Sequence, residues 1–388
     1  MARIFVVGTA DTKGEELAFL AGRIRTLGAD PVIVDVGTRA SAIATDITIA
    51  DASLRAATGR GDAVAAMAEA FTRFLVARSD FDAVLGIGGG GGTSIVTAGM
   101  RSLPIGVPKL MVSTLASGDV AAFVGVGDII MMPSITDLAG LNRISRAVLG
   151  NAAAAIVGMS RRAAETASVK PAVGLTMFGV TTPCVTAIAE ALRPAVDPVI
   201  FHATGTGGRS MEALLDSGLL TGIIDITTTE VCDLLFGGVL PAGPDRFGAI
   251  ARTKAPCVLS LGALDMVNFW APETIPERYR GRNLHRHNAN ITLMRTTADD
   301  CREIGAWIGN RLNACDGPLR VLIPERGVSA LDIEGGPFWD PDADRALFQS
   351  LEAAVHWTTN RRLDKLPLHI NDPQFAAAAV AAWRDIAP

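Results

Sequence analysis

Cysteine is sparse in this chain and badly placed for stapling a fold. The five residues, Cys184, Cys232, Cys257, Cys301 and Cys315, are odd in number, scattered, and never paired as C-x-x-C. That spacing speaks against a disulfide framework and against a zinc ribbon. A reducing cytoplasm is the expected setting. Long apolar runs are missing too, since none approaches the roughly 20 residues that span a bilayer, so no membrane partner is expected. The opening Met1-Ala-Arg-Ile-Phe-Val-Val-Gly8 is too short for a signal peptide and reads as a first strand. Basic clusters with interleaved aromatics do not occur. With a net charge of -5 and a pI near 5.6, nucleic acid is disfavoured as a partner.

Catalytic signatures are equally thin. There is no G-x-S-x-G elbow, no H-E-x-x-H helix and no Walker lysine. Histidine is scarce, with five in the chain, yet His285 and His287 stand two apart and would share a face on an extended segment. With His202, Glu230 or Asp265 they would make a metal-ligand set. Without a supporting motif, surface or capping histidines are the preferred reading, and no metal ligand is assigned.

Hydrophobic residues make up 49% of the 388 and charged ones 19%, so large sheets must be buried. Short β-branched runs alternate with Ala-rich amphipathic stretches from end to end. Strands are expected at 3–7, 31–36, 83–87, 109–112 and 128–132, and helices at 15–27, 62–77, 93–101 and from Asn142 to about Ala167. A second series has strands at 172–177, 199–202, 222–226, 257–261 and 320–323, with Leu368–Ile370 as a late edge strand. The βαβ pattern predicts an α/β chain: two Rossmann-like, doubly wound parallel-sheet domains, 1–168 and 169–388, with a cleft between them.

Ligands of such sheets bind outside the carboxyl ends of the strands. Five consecutive glycines, Gly88, Gly89, Gly90, Gly91 and Gly92, stand at such an end and run into Thr93 and Ser94. Strand, glycine loop and hydroxyl-capped helix point free N–H groups at an anion, usually a phosphate. Gly86, Gly88 and Gly91 also satisfy G-x-G-x-x-G, although a polyglycine run fits almost any glycine spacing. The competing reading is a close-packed turn. The first loop, Gly8-Thr-Ala-Asp-Thr-Lys-Gly14, offers Thr9, Asp11, Thr12 and Lys13. Lys13 suits phosphate and Asp11 suits Mg²⁺ or a ribose hydroxyl; helix capping explains the same residues.

A second glycine loop comprises Thr204, Gly205, Thr206, Gly207, Gly208, Arg209 and Ser210, where Arg209 suits bidentate phosphate or carboxylate binding. Asp225 lies near the spacing of a ribose-binding acid, but this loop follows the second strand of its domain, which weakens a NAD reading. Cys184 falls near a helix start, where a dipole favours thiolate; a buried packing residue is the simpler reading.

These segments also carry a resemblance. Gly8-Thr-Ala-Asp-Thr-Lys, Gly92-Thr-Ser, Leu103-Pro-Ile-Gly-Val-Pro-Lys-Leu-Met-Val-Ser-Thr, Ala139-Gly-Leu-Asn-Arg-Ile-Ser and Thr176-Met-Phe-Gly-Val-Thr-Thr-Pro-Cys are among the matching strings. Phe201-His-Ala-Thr-Gly-Thr-Gly-Gly-Arg-Ser-Met-Glu and Gly262-Ala-Leu-Asp-Met-Val-Asn-Phe extend them. The chain resembles the family founded on the ATP-binding N-terminal domain of the plant tobamovirus-resistance protein, which has many bacterial and fungal members. The resemblance covers nearly the whole chain. It implies two Rossmann-like subdomains, ATP with Mg²⁺ as cofactors, and a homodimer. One departure is Gly90, where Ser is expected in the family's loop.

The expected function is that of an ATP-binding metabolic enzyme acting on a small acid or its activated form. Phosphates would lie on Gly88–Ser94 with Thr9, Asp11, Thr12 and Lys13 alongside. A small-molecule substrate would meet Thr204–Ser210, Glu230, Asp265 and Asn268. The alternatives are an ATP-sensing interaction module without turnover and an NAD-dependent enzyme.

Overall fold

The computed structural model describes residues 1–50, 59–161 and 170–387, which fall into two compact units, Met1–Ala167 and Ser168–Pro388. In the first, β1 (Arg3–Gly8) leads through α1 (Ala10–Thr26) to β2 (Asp30–Asp35) and the short β3 (Ile47–Thr48). Then come α2 (Arg60–Val76), β4 (Ala83–Gly88), α3 (Gly90–Arg101) and β5 (Lys109–Ser113). The single-turn α4 (Ala121–Val124), β6 (Ile130–Pro133) and α5 (Arg143–Ser160) complete it.

All the strands pair in parallel, in the order β3-β2-β1-β4-β5-β6. Helices cover both faces, which is why the strands read as nearly unbroken apolar runs. Alternation along β1 divides the core. Ile4 and Val6 face α1 and α5 through Leu17, Leu20 and Ile156, whereas Phe5 and Val7 face α2 and α3 through Phe71 and Val96.

Two helices begin three or more residues earlier than the apolar periodicity predicts. α1 starts at Ala10 because the Asp35 carboxylate at the end of β2 accepts the Ala10 N–H at 2.9 Å; the helix kinks at Lys13 (φ -127°, ψ 23°). α3 starts inside the glycines, at Gly90. The expected start at Asn142 is a capping box, in which the Asn142 side chain accepts from Ser145 N and Ser145 Oγ accepts from Asn142 N. The helix ends at Ser160, and the expected stretch 162–167 and junction 168–169 lie outside the described residues.

The second unit opens with β7 (Ala172–Met177), α6 (Thr182–Leu192), β8 (Asp197–His202), α7 (Thr206–Asp216) and β9 (Gly222–Thr227). α8 (Glu230–Phe236), α9 (Gly248–Thr253), β10 (Cys257–Gly262) and β11 (Met266–Phe269) follow. β12 (Leu284–Arg286), β13 (Thr292–Arg295), α10 (Ala298–Leu312) and β14 (Leu319–Pro324) come next. α11 (Pro341–Ala354), β15 (Arg361–Leu366) and α12 (Pro373–Ile386) close the chain.

The main sheet is again six-stranded and parallel, β15-β14-β10-β9-β7-β8. An antiparallel sheet β11-β13-β12, which the sequence reading lacked, is inserted after β10. The late edge strand is Arg361–Leu366, not Leu368–Ile370: Ile370 is buried against α6 and α12. Charged residues on an edge strand block further pairing, so Arg-Arg-Leu-Asp-Lys-Leu carries little apolar signal. Among the described residues no helix is long and apolar enough to cross a membrane.

Candidate functional site

The loops after β1, β4 and β5 are neighbours at the carboxyl edge of the first sheet, because these strands are adjacent. The strand order reverses between β1 and β4, the topological switch point of such sheets. α3 begins there. Its first intrahelical bond runs from Thr93 N to Gly89 O at 2.8 Å, so helix geometry leaves the N–H groups of Gly90, Gly91 and Gly92 without helical partners. Gly90 is exposed and Gly89, Gly91, Gly92 and Ser94 are half-buried.

Internal packing does not explain these glycines. None has a positive φ, and a Cβ at Gly89, Gly90, Gly91 or Gly92 would meet nothing nearer than 3.4 Å. Only Gly88 is confined, with a Cβ there 2.8 Å from the Gly92 carbonyl carbon. Each helical glycine costs about 0.5–1 kcal/mol relative to alanine, so the bare helix start is a standing cost that the fold does not require. The hydroxyls beside it are spent internally. Thr93 Oγ1 lies 2.7 Å from Ser113 Oγ, and Ser94 Oγ donates to Gly90 O at 3.0 Å. What remains for a ligand is backbone N–H.

The start of α1 adds polar groups. Thr9 Oγ1 and Thr12 Oγ1 are 2.7 Å apart, and the Lys13 ammonium donates to the Leu138 carbonyl. Asp11 Oδ1 is buried without a hydrogen-bond partner. Sequence reasoning missed Asp35, the last residue of β2, which braces the loop through Ala10 N and Gly37 N. Its signal was a carboxylate ending an apolar strand, the spacing argument having been spent on Asp225.

A cavity of about 300 Å³ opens beside the glycines at the ends of β5 and β6, lined by Thr114, Ser117, Pro133, Ser134, Ile135, Thr136 and Asp137. Thr114 N donates to Gly88 O at 3.2 Å, which ties the cavity wall to the glycine loop. Ile135 holds φ 66° while 74% exposed. A β-branched residue in that conformation is strained, and such strain clusters at ligand sites. The larger hollow, about 520 Å³ on α10 and α11, is lined by arginines already paired with Asp299 and Asp342.

The second glycine loop has a different origin. Gly205 has φ 74°, and a Cβ there would lie 2.1 Å from Pro241 O. At Gly207 it would be 1.8 Å from His202 O, and at Gly208 1.9 Å from Glu230 Oε1. These three are required by the chain itself. Glu230, expected to meet substrate, is fully buried; it accepts from Gly205 N at 2.7 Å and Arg246 Nε at 2.5 Å. Arg246 also holds Asp225 at 2.7 Å and Glu212 at 3.2 Å. Asp225, bonded to Thr176 Oγ1 as well, is no ribose acceptor.

Asp265 and Asn268 are buried too. Asp265 accepts from Ser329 Oγ, and Asn268 donates through its backbone and side chain to Asp233 Oδ1. Thr206 and Arg209 remain exposed, Thr204 and Ser210 half-buried. His202 stacks on Phe178 and His285 meets Phe338 edge-on. Among the described residues no group of three His, Cys, Asp or Glu is placed to hold a metal ion. Cys184 is a packing residue, its thiol pushed up to about 12 by burial rather than down toward thiolate.

Residues 2–165 match the N-terminal domain, and residues 170–387 the C-terminal domain, of the uncharacterised protein family UPF0261. The chain belongs to this family. It is 66% identical to the UPF0261 protein RA0729 of Rhizobium meliloti (strain 1021), over 100% of both chains. It is 40% identical to the ToMV resistance protein Tm-1(GCR237) of Solanum lycopersicum, over 100% of this chain and 56% of the other. The ToMV susceptible protein tm-1(GCR26) is 39% identical over the same shares, so likeness to UPF0261 chains does not track resistance. The expected kinship with the tobamovirus-resistance family is therefore correct. Among solved structures, Acinetobacter baumannii MurG aligns at 12% identity and TM-score 0.26, over 100% of this chain and 93% of the other, too weak to carry an argument.

The two glycine loops respond oppositely to a methyl group. Gly91→Ala fits the backbone and should raise unfolding free energy by about 0.4–1 kcal/mol. Gly207→Ala collides with a carbonyl and should lower it by about 1–3 kcal/mol or more. Urea denaturation of both variants checks this, and a destabilised Gly91→Ala would show that packing does require that glycine.

Burial, opposed by Arg246, raises Glu212 to about 7. The folded chain then holds a proton that the unfolded chain releases above its ordinary value near 4.5. Its contribution to stability is full below that value and is lost as pH rises toward 7. The stability lost between pH 5 and pH 7.5, read from urea midpoints, should be smaller in Glu212→Gln than in the wild type.

Proposed function

We propose that the first unit binds ATP as its magnesium complex, with the phosphates on the glycine start of α3. The observation that carries this is the unforced absence of side chains at Gly89–Gly92, at a helix N-terminus on the switch point of a parallel sheet. Free N–H groups and the positive end of a helix favour an anion, and a bare backbone lets it approach closely. The start of α1, with Thr9, Asp11, Thr12 and Lys13, borders the same edge. Kinship with the tobamovirus-resistance family, expected to bind ATP, supports the choice of nucleotide. Mg²⁺ would accompany the phosphates and offset their charge.

A small acid as the second reactant is the accompanying proposal. The cavity at Thr114, Ser117 and Ser134–Asp137, adjoining the glycines, has the size to receive it and offers the Thr114 and Ser117 hydroxyls. Backbone N–H groups aimed at phosphate oxygens would then supply electrostatic stabilisation without a Walker lysine.

Isothermal titration of Mg-ATP into the wild type and Gly91→Val, with thermal melts of both, tests the reading. The wild type should bind, and a folded Gly91→Val should bind at least tenfold more weakly. Absence of heat with the wild type, or equal affinity in a folded variant, would overturn it.

A further inference from the structure

Asp35 is 1% exposed and forms no ion pair among the described residues. Its Oδ1 accepts from Ala10 N at 2.9 Å and Gly37 N at 2.7 Å, while its Oδ2 has no partner. Asp11, in the first turn of α1, presents a second buried and unpartnered oxygen, Oδ1. The two carboxylates converge on Gly37. A Cβ on that residue would lie 2.9 Å from Asp35 Oδ1 and 3.0 Å from Asp11 Oδ1. Unpartnered carboxylate oxygens away from water are costly, so this pair is built to accept hydrogen bonds from something else.

Topology says what that donor is. Asp35 ends β2, and β2 neighbours β1, which neighbours β4. In sheets of this strand order, a nucleotide lays its phosphates over the switch point and its ribose over the acid at the end of the second strand. From β2 across β1 to β4 is two strand spacings, about 10 Å. A nucleotide whose ribose meets Asp35 therefore crosses the start of α1 and brings its last phosphates to Gly90–Gly92. Two acceptor carboxylates also match the two hydroxyl donors of a ribose cis-diol.

We propose that Asp35, with Asp11 beside it, accepts the 2′- and 3′-hydroxyls of the bound nucleotide, making the site selective for ribonucleotides. This rests on the phosphate reading above. After β2 the chain folds back over the start of α1, with Ala42 N donating to Ala10 O at 3.1 Å and Ile43 packed on Gly14. Ribose enters as this segment, residues 38–45, moves aside.

The test is titration of the full chain with Mg-ATP, Mg-2′,3′-dideoxy-ATP and MgCl₂ alone, using the wild type and Asp35→Asn. The variant keeps the Oδ1 acceptor that braces Ala10 and Gly37, and thermal melts confirm its fold. Hydrogen bonds to a charged acceptor predict that the wild type favours ATP over the dideoxy nucleotide by about tenfold or more. Asp35→Asn should lose that preference by weakening ATP alone, the dideoxy nucleotide binding it at least as well as before. Equal wild-type affinity for the two nucleotides would overturn the ribose assignment and leave the phosphate site standing. Binding of Mg²⁺ alone that Asp35→Asn abolishes would also overturn it, making the pair a metal site. Failure of both nucleotides to bind the wild type would overturn the phosphate reading, and this assignment with it.

Discussion

Parallel pairing of β1 with both β2 and β4 is the constraint on which the first unit depends. A strand bonded on both sides in parallel must send its crossovers over the sheet faces, and right-handed crossovers leaving in opposite directions land on opposite faces. α1 accordingly packs with α5, and α3 with α2. Their starts then open on one edge without covering each other. No side chain has to create that opening. It follows from backbone hydrogen bonding and chain handedness, and the side chains decide only what the opening can hold.

Much of this was legible because both faces of the sheets are covered. Val84 to Ile87 and Leu110 to Val112 could only be interior strands, and their spacing with amphipathic stretches fixed the α/β class. Elements with split loyalties were not legible. β11, β12 and β13 are three or four residues each, paired by tertiary context, and β15 hides behind its charges. Helix starts were misplaced where another strand supplies the cap, as Asp35 does for Ala10. Within the candidate site, the glycine run was conspicuous, but its partner carboxylate at Asp35 needed the strand order to acquire meaning.

The two glycine loops show how far composition misleads. Thr204–Ser210 and Gly88–Ser94 look alike as strings, and both sit between a strand and a helix. In one, the neighbouring carbonyls and Glu230 fill every place where a Cβ would go. In the other only Gly88 is confined, and at Gly89–Gly92 a Cβ would meet nothing nearer than 3.4 Å. A sequence records that a side chain is missing, never whether the chain itself or a visitor needs the room.

Arg246 touches carboxylates from three elements, Glu212 of α7, Asp225 of β9 and Glu230 of α8, and Glu230 in turn holds Gly205 N at the loop. Freeing any of these carboxylates breaks a buried contact to the guanidinium, and a hydrogen bond to a charged group is worth about 1.5–3 kcal/mol. The second loop consequently has no private route to opening. Opening it disturbs contacts of α7, α8 and the centre of its sheet together, which ties it to the unit rather than to the surface.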